Sequence, residues 1–380
     1  MKVLSVVGTR PEAIKMAMVA RALNDADGIE HRLCATAQHR EMLDSVLAAF
    51  GLRPDYDLGV MVHDQDLAYV TNAVVSGMVD VFDDFGPDRV LVQGDTTTTL
   101  AAALSAFYAK VPVGHVEAGL RSGNPAMPWP EEMNRRLTDQ LSDRLYAPTQ
   151  RARENLLAEG FDDSRILVTG NTGIDALLHV VHRLENEPEV RDRARSALSL
   201  GLENGRRFVL VTAHRRENIG RGLASVCKAL LRLAARNDVE VVFPVHPNPN
   251  VSGPVRAALA DHPHIHLSEP MEYVPFVYLM TEAHLIITDS GGIQEESPSL
   301  GKPVLVVRDV TERPEAVEAG TAGLVGTDPG RIAREADRLL DDRRTYETTA
   351  RTNNPYGDGF ASRRIVAQLA SADDRLSRRR

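Results

Sequence analysis

GLENGRRFVLVT, residues 201–212, decides the architecture. Glycines and charges end a helical run that passes through Leu177 and Leu184, and the apolar stretch FVLVT (208–212) then restarts a rhythm the chain has already used once. Upstream, VLSVV (3–7), RLCAT (32–36), RVLV (89–92), VPVGHV (111–116) and RILVT (165–169) alternate with helical patterns at about 11–23, 39–50, 67–85 and 97–109. Downstream, FVLVT is followed by VEVVFPV (239–245), HIHL (264–267), HLIIT (284–288) and PVLVV (303–307), again with helical patterns between them. Strand-and-helix alternation of this kind predicts parallel βαβ units. The chain therefore reads as an α/β protein of two Rossmann-like domains facing across a cleft, with ligands expected at the carboxyl ends of the strands.

A length of 380 residues suits two or three domains. Charged residues at 26% and hydrophobic residues at 43% are the profile of an ordinary globular chain and exclude disordered and fibrous classes. Forty-four Lys and Arg against 53 Asp and Glu leave a net charge of −9, so no broad positive field is available for a nucleic acid, and an anionic ligand must be met by local basic groups. Cys34 and Cys227 sit far apart in apolar runs and read as buried free thiols in a reducing compartment. The first apolar run is too short for a signal-peptide core, and no run is long enough to span a bilayer, which predicts a cytoplasmic protein without a membrane partner. The basic tail RLSRRR suggests no function.

Several strand ends carry chemistry. GTRPEAIKM (8–16) places Gly8 at a tight turn, Pro11 in a first helical turn, and Arg10 and Lys15 beside unpaired helix N–H groups, an arrangement suited to an anion or to a solvated surface turn. TDSGGIQEE (288–296) repeats the logic: Ser290, Gly291 and Gly292 let a phosphate approach the backbone, and Glu296 reads either as an acceptor from sugar hydroxyls or as a plain carboxylate near a helix start. The same DSGG letters occur around the serine of chymotrypsin-like proteases, but those are antiparallel barrels. Arg313, in TERPEA, is a third cation for an anion or one half of a surface ion pair.

VQGDTTTTL places Asp95 just past a strand, either as a helix cap or as an acid/base group. HVEAGLRS puts His115 and Glu117 two apart on one strand, pointing to one face. PWPEEMNRR sets Glu131 and Glu132 at a helix start behind prolines. VTAHRREN brings His214, Arg215 and Arg216 after a strand, and FPVHPNPN brings His246 after the next; a histidine beside arginines is disfavoured as a cation unless an anion joins them. HPHIH (262–266) places alternate imidazoles on one strand face but has no supporting ligand spacing, and His179 with His182 is no stronger, so no metal site is expected. Carboxylates in the first half and cations with a glycine turn in the second are what a phosphorylated sugar needs.

Taken together, GTRPEAIKM, TAQHREMLD, QGDTTTTLA, GHVEAGLRS, PWPEEMNR, VTAHRREN, PVHPNPNV, TDSGGIQEE, KPVLVVRDVTERPEA and NPYGDG resemble, in order and along nearly the whole chain, the bacterial non-hydrolysing UDP-N-acetylglucosamine 2-epimerases. The resemblance implies a glycosyltransferase-B-like fold: a first domain of 1–170 completed by a returning C-terminal helix from about 360 to 380, and a second of 171–359. It implies interconversion of UDP-N-acetylglucosamine and UDP-N-acetylmannosamine with no metal or nicotinamide cofactor, by anti elimination of UDP to a bound 2-acetamidoglucal and re-addition. It makes Asp95, Glu117 and Glu131 the catalytic carboxylates, with His214 near the diphosphate, and places Arg10, Lys15, Ser290, Gly291, Gly292, Glu296 and Arg313 on the nucleotide sugar, with Met271 and Phe276 at the uracil. Gln38, Arg215 and His246 match a second, activating pocket, in which Glu41 stands where members usually carry Gln. It also implies a homodimer, UDP as a ligand, and supply of N-acetylmannosamine units to surface polysaccharide.

Overall fold

The computed structural model describes residues 1–36, 40–62, 65–198, 205–311, 313–350 and 354–377, as backbone alone at 40–42, 216 and 372–377. The chain divides into two compact units, one of Met1–Ala176 with the segment from Tyr356 onward, the other of Leu177–Pro355.

The first unit is built on a parallel sheet of β1 (Lys2–Val7), β2 (Glu30–Ala35), β3 (Tyr56–Asp57), β4 (Arg89–Gln93), β5 (Val113–Val116), β6 (Arg144–Ala147) and β7 (Ile166–Val168). Their spatial order is β3-β2-β1-β4-β5-β6-β7. Residues 3–7 of β1 are all buried, because helices cover both faces of a parallel sheet and a central strand must then be apolar throughout. Thr9 caps helix Arg10–Asn24, with Pro11 in its first turn, and Asp66 caps helix Leu67–Phe85, which ends at Gly86 with φ of 60°. Val70, Val74, Met78, Val81 and Phe85 of that helix pack into a core with Leu4, Val6, Val90 and Val92.

The second unit carries a six-stranded parallel sheet of β8 (Arg207–Thr212), β9 (Val239–Pro244), β10 (Ile265–Ser268), β11 (Leu285–Thr288), β12 (Val304–Val306) and β13 (Ala322–Leu324), in the order β10-β9-β8-β11-β12-β13. Its core joins Val209, Val211, Val241, Phe243 and Ile287 to Leu223, Val226, Leu230 and Leu233 of helix Arg221–Ala234. The final helix, Ala361–Ser377, is held in the first unit: Asp175 accepts from the backbone N–H groups of Ala361 and Ser362 at 3.2 and 2.8 Å, and Tyr146 donates to Gln368 at 2.9 Å.

The structure adds β3, β6 and β13 to the expected strands, none longer than four residues. The HIHL strand begins one residue late, so of the three alternating imidazoles only His266 lies on it, facing buried Glu240 at 3.2 Å. The expected VPVGHV strand is shorter at its start only. It starts at Val113, after a proline that cannot donate to a ladder, and it ends at Val116. Glu117 is therefore not on the strand with His115; its φ of 72° turns it out of the β alternation, and the two side chains part. No described helix is long and apolar enough to cross a membrane.

Candidate functional site

In the first unit the connections run one way from β1 through β2 to β3 and then the other way from β4, so the loops leaving β1 and β4 diverge and open a crevice at the carboxyl edge of the sheet. Gly8 ends β1 there: a Cβ on it would lie 2.4 Å from Thr98 Oγ1 and 2.5 Å from Thr36 Oγ1, so only glycine fits. Arg10 begins the following helix and Lys15 lies a turn further, where its ammonium pairs with Glu117 Oε2.

Asp95 leaves β4 in the same crevice. The cap of helix Thr97–Tyr108 is Thr96, whose hydroxyl accepts from Thr99 N–H at 3.1 Å, so the capping reading of Asp95 falls away. Asp95 instead accepts from Arg135 Nη2 at 2.5 Å, while its carbonyl accepts from Asn134 Nδ2 at 3.0 Å. Both donors come from helix Glu131–Leu141, which places Glu131 at its first position and buries Glu132 completely. Glu132 Oε2 accepts from Ser122 N–H at 3.0 Å and faces Arg135 at 3.4 Å. Glu117 holds a left-handed backbone that a non-glycine residue adopts only when its surroundings over-determine it.

In the second unit the reversal falls between β8 and β11. Asp289, at the end of β11 and fully buried, accepts from His214 N–H and Arg215 N–H, each at 2.9 Å, and from Asn218 Nδ2 at 3.0 Å, so one carboxylate shapes the loop that carries His214 and Arg215. The His214 ring stacks on His246 with centroids 5.3 Å apart. Burial holds His214 below the ordinary histidine range, opposed by Asp289 and reinforced by His246 and Arg215. Ser290 precedes the short helix Gly291–Glu296. A Cβ on Gly291 would lie 3.0 Å from Arg313 Cζ, so the glycine lets that guanidinium lie across the turn, where Glu295 accepts from Arg313 Nε at 2.8 Å. Among the described residues, nothing lies within 4 Å of where a Cβ on Gly292 would stand. Glu296 accepts from the Tyr273 hydroxyl at 3.4 Å. Met271 and Phe276, both half-buried, stand just before and within helix Tyr273–Glu282.

Arg10, Lys15, Asp95, Glu117 and Glu131 thus gather along the carboxyl edge of the first sheet, and His214, Arg215, His246, Met271, Phe276, Ser290, Gly291, Gly292, Glu296 and Arg313 follow strands of the second. Gln38 lies outside the described residues. Three supporting residues escaped the sequence reading. Asp289 and Arg135 show no local pattern that announces a partner. Glu12 does, because Thr9 and Glu12 have capping-box spacing. Its buried carboxylate accepts from Thr96 and Thr99 hydroxyls at 2.9 and 3.0 Å and from Gly8 N–H at 3.2 Å, locking the β1 and β4 loops together, and burial raises its pKa against those hydrogen bonds.

Two doubly wound parallel sheets with polar residues at their carboxyl edges define a two-domain α/β protein of the glycosyltransferase-B-like class. A family model described as UDP-N-acetylglucosamine 2-epimerase matches residues 21–370. The chain is 55% identical over 369 residues to a probable UDP-N-acetylglucosamine 2-epimerase of Ralstonia nicotianae, covering 97% of this chain and 98% of that one, and 53% identical over 373 residues to the UDP-N-acetylglucosamine 2-epimerase of Escherichia coli K12, covering the same shares. Among solved structures it is similar to the Neisseria meningitidis UDP-GlcNAc 2-epimerase bound to UDP-GlcNAc, with a TM-score of 0.92 at 50% identity over 98% of this chain and 100% of that one. It is also similar to the Methanocaldococcus jannaschii enzyme in complex with UDP-GlcNAc and UDP, with a TM-score of 0.83 at 34% identity over the same shares. The chain belongs to the UDP-N-acetylglucosamine 2-epimerase family.

Proposed function

We propose that this chain interconverts UDP-N-acetylglucosamine and UDP-N-acetylmannosamine by reversible elimination of UDP. The observation that carries the reading is the placement of Asp95, Glu117 and Glu131 along one sheet edge, two of them held by the cations Arg135 and Lys15, in a chain 50% identical to an epimerase solved with UDP-GlcNAc.

In the forward direction the C1–O bond breaks and its electron pair leaves with the β-phosphate of UDP. The C2 proton passes to a carboxylate and a C1=C2 double bond forms, giving 2-acetamidoglucal. UDP then attacks C1 again while a proton is delivered to the opposite face of C2. The C2 hydrogen is not beside a carbonyl, so departure of UDP must run ahead of proton loss and supply its acidity through oxocarbenium character at C1. Inversion requires proton handling on both faces, which is why several carboxylates serve where one base would not. Arg10, Lys15, His214 and Arg313 stabilise the leaving diphosphate. Ser290, Gly291 and Gly292 receive the phosphates, Glu296 accepts from sugar hydroxyls, and Met271 and Phe276 flank the uracil. Activation by UDP-N-acetylglucosamine itself, if this chain has it, is assigned to Arg215 and His246.

A homodimer is supported by large apolar side chains left in solvent on three helices that pack on one another: Val79, Phe107, Tyr108, Met133 and Leu137. The reaction belongs in the cytoplasm, and its product feeds surface polysaccharide assembly. Proton NMR of the purified protein with UDP-N-acetylglucosamine in deuterium oxide tests the reading. UDP-N-acetylmannosamine carrying deuterium at C2, with only traces of free UDP, supports it. Stoichiometric UDP with free sugar means hydrolysis, and an unchanged spectrum sinks the catalytic reading.

A further inference from the structure

We infer that His115 is a positioning residue for this reaction, tying the turn that carries Asp95 to the turn that begins at Glu117; the inference rests on the epimerase reading above. His115 is completely buried on β5, and so is its partner Asp139. Its Nδ1 lies 2.6 Å from Asp139 Oδ1 and its Nε2 lies 2.7 Å from the carbonyl oxygen of Gly94. That carbonyl belongs to the peptide unit that joins Gly94 to Asp95. Asp139 Oδ2 in turn accepts from Gly119 N–H at 3.4 Å and from Arg121 Nη2 at 2.7 Å, and Arg121 Nη1 donates to the Leu120 carbonyl at 2.8 Å.

One imidazole therefore reaches both loops. On one side it holds Gly94, whose φ is 75°; on the other, through Asp139, it holds the stretch from Glu117, at φ 72°, to Gly119, at φ 85°. Gly94 and Gly119 adopt a positive φ freely, but Glu117 carries a side chain there and would relax without such a clamp. Gly119 admits no side chain, because a Cβ there would lie 2.3 Å from the Ala152 carbonyl oxygen. Both ring nitrogens face oxygen atoms that can only accept, and a neutral imidazole has one N–H to give. Each ring nitrogen thus has an oxygen partner, one on the Asp95 side and one on Asp139. Arg121 continues the network to Glu159, which accepts from it at 2.9 and 2.7 Å and from Arg136 at 2.6 Å; those arginines hold Glu159 down at about 2.

Two near-isosteric substitutions separate the contacts. His115→Asn keeps a donor where Nδ1 stood and loses the one that reaches Gly94, whereas His115→Gln keeps a donor where Nε2 stood and loses the one on Asp139. With turnover followed by C2 deuteration and by appearance of UDP-N-acetylmannosamine, His115→Asn is expected to lower kcat about 100-fold and His115→Gln about 10-fold, because sub-ångström misplacement of a reacting group is that costly. KM and the calorimetric affinity for UDP stay within about threefold of the native chain, since uniform binding is untouched. Both variants are also melted, and kcat is expressed per folded molecule. Losses that vanish once scaled to the folded fraction, or kcat within about threefold of native in both, would overturn the inference. The native chain in the same tubes is the separate control: if it leaves UDP-N-acetylglucosamine unchanged, the epimerase reading fails and this inference falls with it, whereas native turnover with any of those variant results removes only the role of His115.

Discussion

A neutral imidazole set beside an arginine is a proton acceptor waiting for an anion. His214 is placed that way: burial first, then His246 and Arg215, keep its pKa under the ordinary 6.5. A bound diphosphate would favour the charged ring and raise that value, so binding takes up a proton. The sign follows by linkage. UDP affinity should rise as pH falls through the range just under 6.5, and His214→Asn should flatten that rise. Calorimetry in two buffers of different ionisation heat measures the proton directly; zero uptake by the native chain would remove His214 from the diphosphate. The paired glycines give a second contrast at this scale. Gly291→Ala forces Arg313 away from its place across the turn while Glu295 holds the guanidinium, and UDP affinity should fall about tenfold with little change in melting temperature. Gly292→Ala meets no atom of the described residues, so it should melt as the native chain does, and any lost affinity there reports contact with ligand. Both glycines are visible in the motif TDSGGIQEE; that one makes room for an arginine and the other for open space is not, because Arg313 is 22 residues away along the chain.

Helix Glu131–Leu141 is the element on which the first unit's polar edge depends. Successive turns present Glu131, Glu132, Asn134, Arg135 and Asp139, and these tie down Asp95, Ser122 and Gly119. Arg135→Ala would leave fully buried Glu132 without its cation, and removing one member of a buried pair costs about 3 kcal/mol or more. Denaturant unfolding should show that loss, and a combined Glu132→Ala change should recover part of it; additive losses would mean the two side chains do not interact. The start of this helix was legible, since PWPEE places acids in a first turn. Its lacing was not, because Arg135 finds Asp95 40 residues back in sequence. Thiol chemistry reports on two other elements. Cys34 on β2 and Cys227 on helix Arg221–Ala234 are buried and unpaired, and burial pushes their pKa up to about 12 and about 11. An aromatic disulfide reagent at neutral pH should release no chromophore from the native chain and two equivalents after denaturation. Fast release from the native chain would show that one of the two elements opens.

At the scale of the molecule, the apolar residues left outside are as informative as the core. Phe107 and Tyr108 end helix Thr97–Tyr108 well exposed, with Val79 on a neighbouring helix. Tyr108→Glu should convert a dimer to a monomer in light scattering while leaving the melting of each folded unit in place; an unchanged mass would clear this face of the proposed interface.

Local physics determined much of this protein before any coordinates. Periodicity and turn residues set most strands and helices, their alternation implied parallel sheets in two units, and ten motifs in order pointed to the family, because each of those signals is carried by residues close together in the chain. The tertiary structure alone decided which charges meet. Thr96, not Asp95, caps its helix; Glu117 turns away from His115; Asp289 shapes the β8 loop from 74 residues off. Those outcomes follow from the lateral order of strands, β1 beside β4 and β8 beside β11, which brings distant loop ends together and which no short-range pattern encodes.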